Sequence, residues 1–204
     1  MQRREATRGA LIAAARACFV DVGFEGTSTE AVLARAGVSK GALYHHFASK
    51  ADLLSAVFEA ASRAAADRAH AATAGAPSAR AAVGAALKAW LRAALEPEPR
   101  RIILDIGPAV LGLARARQIE DAITLAPLRR SVERAVAQGE ARCADADLAA
   151  RLLSAAASEL ALTALQRGLS GADLAPFDAA IDALLDALLP PQRPAAREAA
   201  GRAP

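Results

Sequence analysis

Aromatic side chains are scarce in this chain: phenylalanine, tryptophan and tyrosine together make up 3 per cent of 204 residues, with a single Trp and a single Tyr. Threonine, tyrosine and isoleucine, which favour strands, are few, while alanine dominates. That balance disfavours a sheet and points to an all-α chain. Only two cysteines occur, Cys18 and Cys143. They fall in different predicted helices and form no CxxC or Cys/His cluster, so disulfide and metal readings are both weak. The three histidines, His45, His46 and His70, are too few and too badly spaced for a zinc site. No unbroken apolar run reaches about 18 residues, so no spanning helix is expected. The basic start MQRREATRGALIAAARACF is interrupted by Arg16 and has the period of an amphipathic helix; nothing is expected to be cleaved, and a cytoplasmic protein is expected. No repeats are visible. Nor is there a nucleophile–base pairing, a metal-ligand spacing or a phosphate-cradling glycine loop, so an enzyme is not expected and no cofactor is implied.

What remains is an apolar, helix-forming chain, 54 per cent hydrophobic and 23 per cent charged, suited to one medium domain or a small module joined to a larger one. The net charge of +3 is unevenly placed. Residues 1–50 carry seven Lys/Arg against four Asp/Glu, and the remaining residues carry 18 of each sign. A basic module on a neutral body suggests an anionic partner, nucleic acid first.

Helical periodicity marks nine helices. Leu11, Ala14, Ala15, Cys18, Phe19 and Val22 make one stripe on a first helix over about 4–22, ended by Gly23. A second helix spans about 29–36, with Val32 and Ala36 inward, and Gly37 stops it. Ser39 caps a third over about 40–47, with Leu43 and Phe47 on its buried side. A fourth, beginning near residue 50, carries Leu53, Leu54, Val57 and Phe58 inward to about residue 72. A fifth covers about 79–95, and Glu96-Pro97-Glu98-Pro99 ends it. A sixth starts at about 100–105, and Gly107-Pro108 is expected to bend or interrupt it. A seventh runs to about 138, with Pro127 as a kink or break. The eighth covers about 146–167 and the ninth about 176–189.

Two short helices joined by a tight glycine turn form the helix-turn-helix arrangement. Gly37 supplies the turn and Val38 an apolar plug. The third helix then presents Ser39, Lys40, Gly41, Ala42, Tyr44 and His45 away from Leu43 and Phe47. Gly41 keeps the helix slim, Lys40 reaches a base edge or phosphate, and Tyr44 offers a hydroxyl and a flat ring. Turn geometry alone leaves a plain helical hairpin open as an alternative.

The string TSTEAVLARAGVSKGALYHHFASKADLL resembles the N-terminal DNA-binding domain of the TetR (tetracycline-repressor) family. The resemblance extends over about residues 4–60. The family pattern often has isoleucine-alanine where Val32-Leu33 stand. The resemblance implies dimeric, mostly bacterial transcription regulators with a helical second domain that binds small molecules. It places Thr29, Ser39, Lys40, Gly41, Tyr44, His45 and Lys50 at or near double-stranded DNA, with Tyr44, His45 and Lys50 on phosphates and Lys40 near bases. The segment RIILDIGPAVLG is similar to one found in one branch of the family.

In the apolar body, the leucines of the eighth helix (Leu148, Leu152, Leu153, Leu160, Leu162, Leu165) spread round the wheel, as in a helix packed on its own core and on a partner chain. The ninth has Phe177, Ile181, Leu184, Leu185 and Leu188 on one stripe and Asp178, Asp182 and Asp186 on another. A homodimer through helices 8 and 9 is expected. Candidate effector contacts are Trp90, Asp105 and the polar line Glu159, Thr163 and Gln166, which either lines a cavity or faces a partner subunit.

The expected architecture is therefore a helix-turn-helix domain over 1–50, with the fourth helix linking to about 72. A helical ligand-binding and dimerisation domain follows over 73–190, then a disordered tail over 191–204. The expected function is a sequence-specific regulator, a repressor released from a palindromic operator by a small molecule, with no membrane involved. The alternative is a helical adaptor or small-molecule-binding protein without operator function.

Overall fold

Serine and aspartate open the helices. In the computed structural model, which describes residues 2–192, the amides of Ala31, Ala42, Asp52, Ala81 and Leu148 donate to the side chains of Ser28, Ser39, Ser49, Ser78 and Asp145 at 3.0–3.3 Å. Each bond satisfies an amide that has no partner within its own helix, worth about 1 kcal/mol. The tail expected at 191–204 lies, from residue 193 on, outside the described residues.

The helices so started are α1 (Gln2–Gly26), α2 (Thr29–Ala36), α3 (Lys40–His46), α4 (Lys50–Ala71) and α5 (Ala79–Leu95). Next comes a composite α6, made of the α-helical turn Pro97–Arg100, a π-helical stretch Arg101–Ile106 and the α-helical Gly107–Leu111. Then follow α7 (Leu113–Ala137), α8 (Ala146–Gln166) and α9 (Ala175–Leu188), the last preceded by a 3-10 turn, Gly171–Leu174. No strand occurs among the described residues; one isolated antiparallel bridge joins Ala141 to Pro191.

One hydrophobic core runs through the chain, from Leu11 and Phe19 on α1 to Ile181 and Leu185 on α9. α4 connects its two ends, packing on α1 at one side and on α5 and α7 at the other. Much of the core is alanine, including Ala61 and Ala65 on α4 and Ala157, Ala161 and Ala164 on α8. Methyl groups fill little space, so the helices must approach closely to exclude voids. The tightest approach is at Gly107, where a Cβ atom would stand 2.2 and 2.4 Å from the ring of Phe58 and 2.8 Å from the carbonyl oxygen of Ile102.

The structure departs from the sequence reading at three points. Val22, expected in the buried stripe of α1, is 59 per cent exposed: it is the last residue before the non-helical Gly23 (φ 78°, ψ 173°) and borders an open depression at the end of α1 that is left uncovered. Gly107-Pro108 does not interrupt its helix, which passes there from π to α geometry; Gly107 is helical, and the break falls at Gly112, with φ 80°. Pro127 sits inside α7, which continues to Ala137.

The aspartates of α9 are not a free polar face. Asp178 pairs with Arg92 at 2.5 Å, Asp182 with Lys88 at 2.6 Å and Asp186 with Arg80 at 2.6 Å. Spacings of four residues on α9, and of eight and four on α5, put the three pairs in line, and their reversed order along the two helices makes α9 antiparallel to α5. Arg80 also donates through Nε to the Leu189 carbonyl, and its own amide donates to Glu140 Oε2.

Candidate nucleic-acid interface and effector cavity

α3 divides its residues between two environments. Leu43 and the adjoining Phe47 are 3 and 5 per cent exposed and enter the core beside Val32. Ser39, Lys40, Gly41, Tyr44 and His45 are exposed, Tyr44 to 51 per cent. The angle between α2 and α3 is fixed by Gly37, whose left-handed backbone (φ 65°, ψ 33°) closes α2 with its amide on the Leu33 carbonyl. Val38 behind it is half-buried against the core. Thr29, the first residue of α2, is half-buried and donates from Oγ1 to Glu30.

Lys50 has a different placement from its neighbours in this set. Its Nζ donates to the carbonyls of Phe24 (2.9 Å) and Thr27 (3.1 Å) and lies 4.2 Å from the centre of the Phe24 ring. Thr27, itself 2 per cent exposed, donates from Oγ1 to the Gly23 carbonyl. The ammonium therefore fastens the α1–α2 connector, and with it the start of α2.

Two arginines that the sequence reading passed over join the basic surface. Arg8 lies over the Phe47 ring at 5.6 Å. Arg4 and Arg8 are close enough to His46 that, after desolvation and the neighbouring His45, they help hold its imidazole below the usual range. The signal was present in the sequence as Arg4 and Arg8 four residues apart on α1. By contrast Arg35 is committed to Asp21 at 2.8 Å and Arg16 to Glu98 at 2.7 Å. Among the described side chains, the positive charge without an acidic partner is thus gathered at the α3 end of the module, where Lys40 also lies.

A cavity of about 390 Å³ opens between α4, α5, α7 and α8. Trp90, 9 per cent exposed, Leu87, Ile123 and Leu128 form its apolar wall; Ser154 and Ser158 enter from α8. Glu120 lines it from α7, and burial pushes that carboxyl up to about 7, with Arg117 pulling it down and Asp121 adding to the rise. Of the five residues expected at an effector, only Trp90 lines this cavity. Asp105 is exposed on the π-helical stretch and borders an open depression with Val22 and Gly23 at the end of α1. Glu159 and Gln166 are exposed and Thr163 half-buried. At 100° per residue they share an angular sector of α8 with Leu148 and Leu152, about opposite Ala157, which faces the cavity. The polar line therefore continues an outward apolar ridge, on which Leu148 and Leu152 are 53 and 45 per cent exposed.

By length and composition α8 is apolar enough to cross a membrane, and a third of its most apolar window is buried within this chain. No group of three or more His, Cys, Asp or Glu side chains positioned for a metal ion occurs among the described residues.

Comparison with known proteins bears on both halves. The family profile described as bacterial regulatory proteins, tetR family, matches residues 11–57, and one described as a tetracyclin repressor-like C-terminal domain matches residues 80–188. The chain is 45 per cent identical over 56 residues to the HTH-type transcriptional activator FasR of Mycolicibacterium smegmatis, covering 28 per cent of this chain and 26 per cent of FasR. It is 40 per cent identical over 55 residues to the transposon Tn10 TetC protein of Escherichia coli, covering 27 per cent of this chain and 28 per cent of TetC. The match thus spans only about a quarter of each curated relative. Among solved structures, a TetR-family transcriptional regulator from Pectobacterium atrosepticum superposes with a TM-score of 0.77 at 32 per cent identity, covering 95 per cent of this chain and 99 per cent of that one. RolR in complex with resorcinol shares the fold, with a TM-score of 0.70 at 22 per cent identity over 92 and 89 per cent of the two chains.

Proposed function

This chain belongs to the TetR family of bacterial transcriptional regulators, and from that membership we propose that it is a cytoplasmic, homodimeric repressor released from a palindromic operator by a small molecule. The observation that carries the reading is the split of α3, with Lys40, Tyr44 and His45 outward while Leu43 and Phe47 anchor it from behind. Lys40 reads base edges, Tyr44 and His45 meet phosphates, and Ser39, Gly41 and Thr29 border the contact. Lys50 acts on DNA through the connector it fastens. Arg4 and Arg8 add phosphate-directed charge, which governs affinity and its dependence on salt.

The dimer forms through α8 and α9. The exposed Leu148 and Leu152 on α8 and the exposed alanines Ala179, Ala183 and Ala187 on α9 support a face that small side chains let approach closely. Two such subunits present two α3 helices to successive major grooves, about 34–36 Å apart. The effector occupies the cavity beside Trp90 and favours a subunit arrangement whose heads no longer match that spacing; the release follows from its differential affinity for the two arrangements. That RolR, of the same fold, was solved with resorcinol supports a small aromatic occupant here. In this scheme the domains are 1–50, with α4 as the link, and 73–190, and no catalytic step is required.

Selection of bound duplexes from random DNA tests the reading. A two-fold symmetric consensus is expected, and Tyr44→Ala lowers affinity for it about tenfold, ~1.4 kcal/mol, while the dimer persists in sedimentation. No enriched sequence, or an unchanged gel-shift titration for Tyr44→Ala, overturns it.

A further inference from the structure

One half-buried carboxyl in the cavity has no directly bonded cation, the charge of Arg117 acting on it only from beyond ion-pair distance. Glu120 lines the cavity from α7, half-buried, and its carboxylate takes no hydrogen bond and no ion pair from any described residue. Arg117, one turn earlier, is committed elsewhere: its Nε pairs with Asp121 at 3.1 Å, and Nη1 reaches Ser158 Oγ at 3.5 Å. Of the other ionisable side chains that line the cavity, Arg63 is held by Glu59 at 2.9 Å, and Asp67, His70 and Arg130 are exposed. α5 and α8 contribute apolar side chains and serines but no ionisable group to the lining. A partly desolvated carboxylate without a bonded cation is costly, and the apolar wall of Trp90, Leu87, Ile123 and Leu128 offers no donor beyond the indole N–H.

We infer that the effector is a small aromatic or alicyclic cation, its charged nitrogen seated on Glu120 and its apolar body against Trp90. Such a ligand meets both requirements of the cavity: its charge supplies a directly bonded counter-charge for Glu120, and its apolar body covers the apolar wall that includes Trp90. A volume of about 390 Å³ accommodates a compact ligand of one or two rings. This inference rests on the reading of the cavity as the effector site and adds the chemical class.

The carboxyl, pushed up to about 7, gives the class a pH signature. Below that value Glu120 is protonated and offers no charge; above it the carboxylate attracts a cation. Affinity for a permanently charged ligand therefore rises as pH passes from about 6 to about 8, and binding near neutrality releases a proton.

Trp90 is the only tryptophan in the chain, so its emission reports occupancy. The full chain is titrated with phenyltrimethylammonium, with its uncharged isostere tert-butylbenzene, with resorcinol and with benzoate. Saturable binding of the cation is expected, up to about tenfold tighter at pH 8 than at pH 6 and about tenfold weaker in Glu120→Gln at pH 8, with the thermal midpoint of the variant unchanged or raised. Tighter binding of tert-butylbenzene, resorcinol or benzoate overturns the cationic class while leaving the cavity as the effector site. No saturable response to any of the four overturns the class and the cavity reading together. A cation affinity indifferent to pH and to Glu120→Gln overturns the role of Glu120.

Discussion

Leu43 and Tyr44 are neighbours in sequence with opposite fates, one 3 per cent and the other 51 per cent exposed. That contrast was legible beforehand, because a helix of known start assigns each residue a side, and Ser39 marks the start. Gly107 was not legible in the same way. Its sequence neighbour Pro108 suggests an interruption, but the demand for glycine comes from the ring of Phe58, on a helix distant in sequence. Gly107→Ala is expected to cost about 1–3 kcal/mol, as overpacking of a filled core does. For a chain of this size that lowers the thermal midpoint by several degrees. An unchanged midpoint would mean that α4 and α6 separate freely, contrary to the close approach described. Lys50 teaches a related point: the position was legible, but the partners of its ammonium are backbone carbonyls, which no pattern of side chains announces.

The serine caps and the apolar stripes of α1 to α5 follow from local chemistry, and the corresponding helices form where periodicity places them. The composite α6 does not, since a π-helical stretch depends on how its flanks are held rather than on residue preference. α8 shows what a wheel alone leaves open. Apolar residues all round allow several partners, and only the position of Ser154, Ala157 and Ser158 at the cavity identifies which side is outward. The α5–α9 ladder is likewise tertiary, since Asp178, Asp182 and Asp186 read as a solvated face until α5 is brought alongside. Each pair has at least one side chain more than 40 per cent exposed, so each contributes about 0.2–1 kcal/mol. Replacing the three aspartates together by asparagine is expected to lower the melting temperature by a few degrees at low ionic strength. The deficit against the parent shrinks toward zero near ~1 M salt, as screening removes the pairing. A salt-independent loss would assign the effect to packing instead.

At the scale of the whole molecule, the proposed regulation depends on two subunits held at one separation. Leu148→Glu with Leu152→Glu is expected to convert the dimer to monomer in sedimentation while helical content stays near the parent value. Charges at the centre of an apolar contact repel their symmetry mates and lose hydration. Operator affinity should fall by at least about a hundredfold, because one head alone forfeits half of the contacts and the effective concentration of the second. A stable dimer in the double variant would place the contact on another face. The +3 charge concentrated in residues 1–50 predicts that affinity for any duplex declines with salt while the neutral body contributes little.

Because α3 is only seven residues long and is held by two inward side chains, the outward positions carry almost none of the burden of folding. Lys40, Gly41, Tyr44 and His45 can thus be rewritten without disturbing the scaffold, so under the proposed docking the letter that Lys40 reads, and the grip of Tyr44 and His45 on phosphate, are separable from thermal robustness. Changes at Leu43 or Phe47 enjoy no such freedom, for they would blur every letter at once.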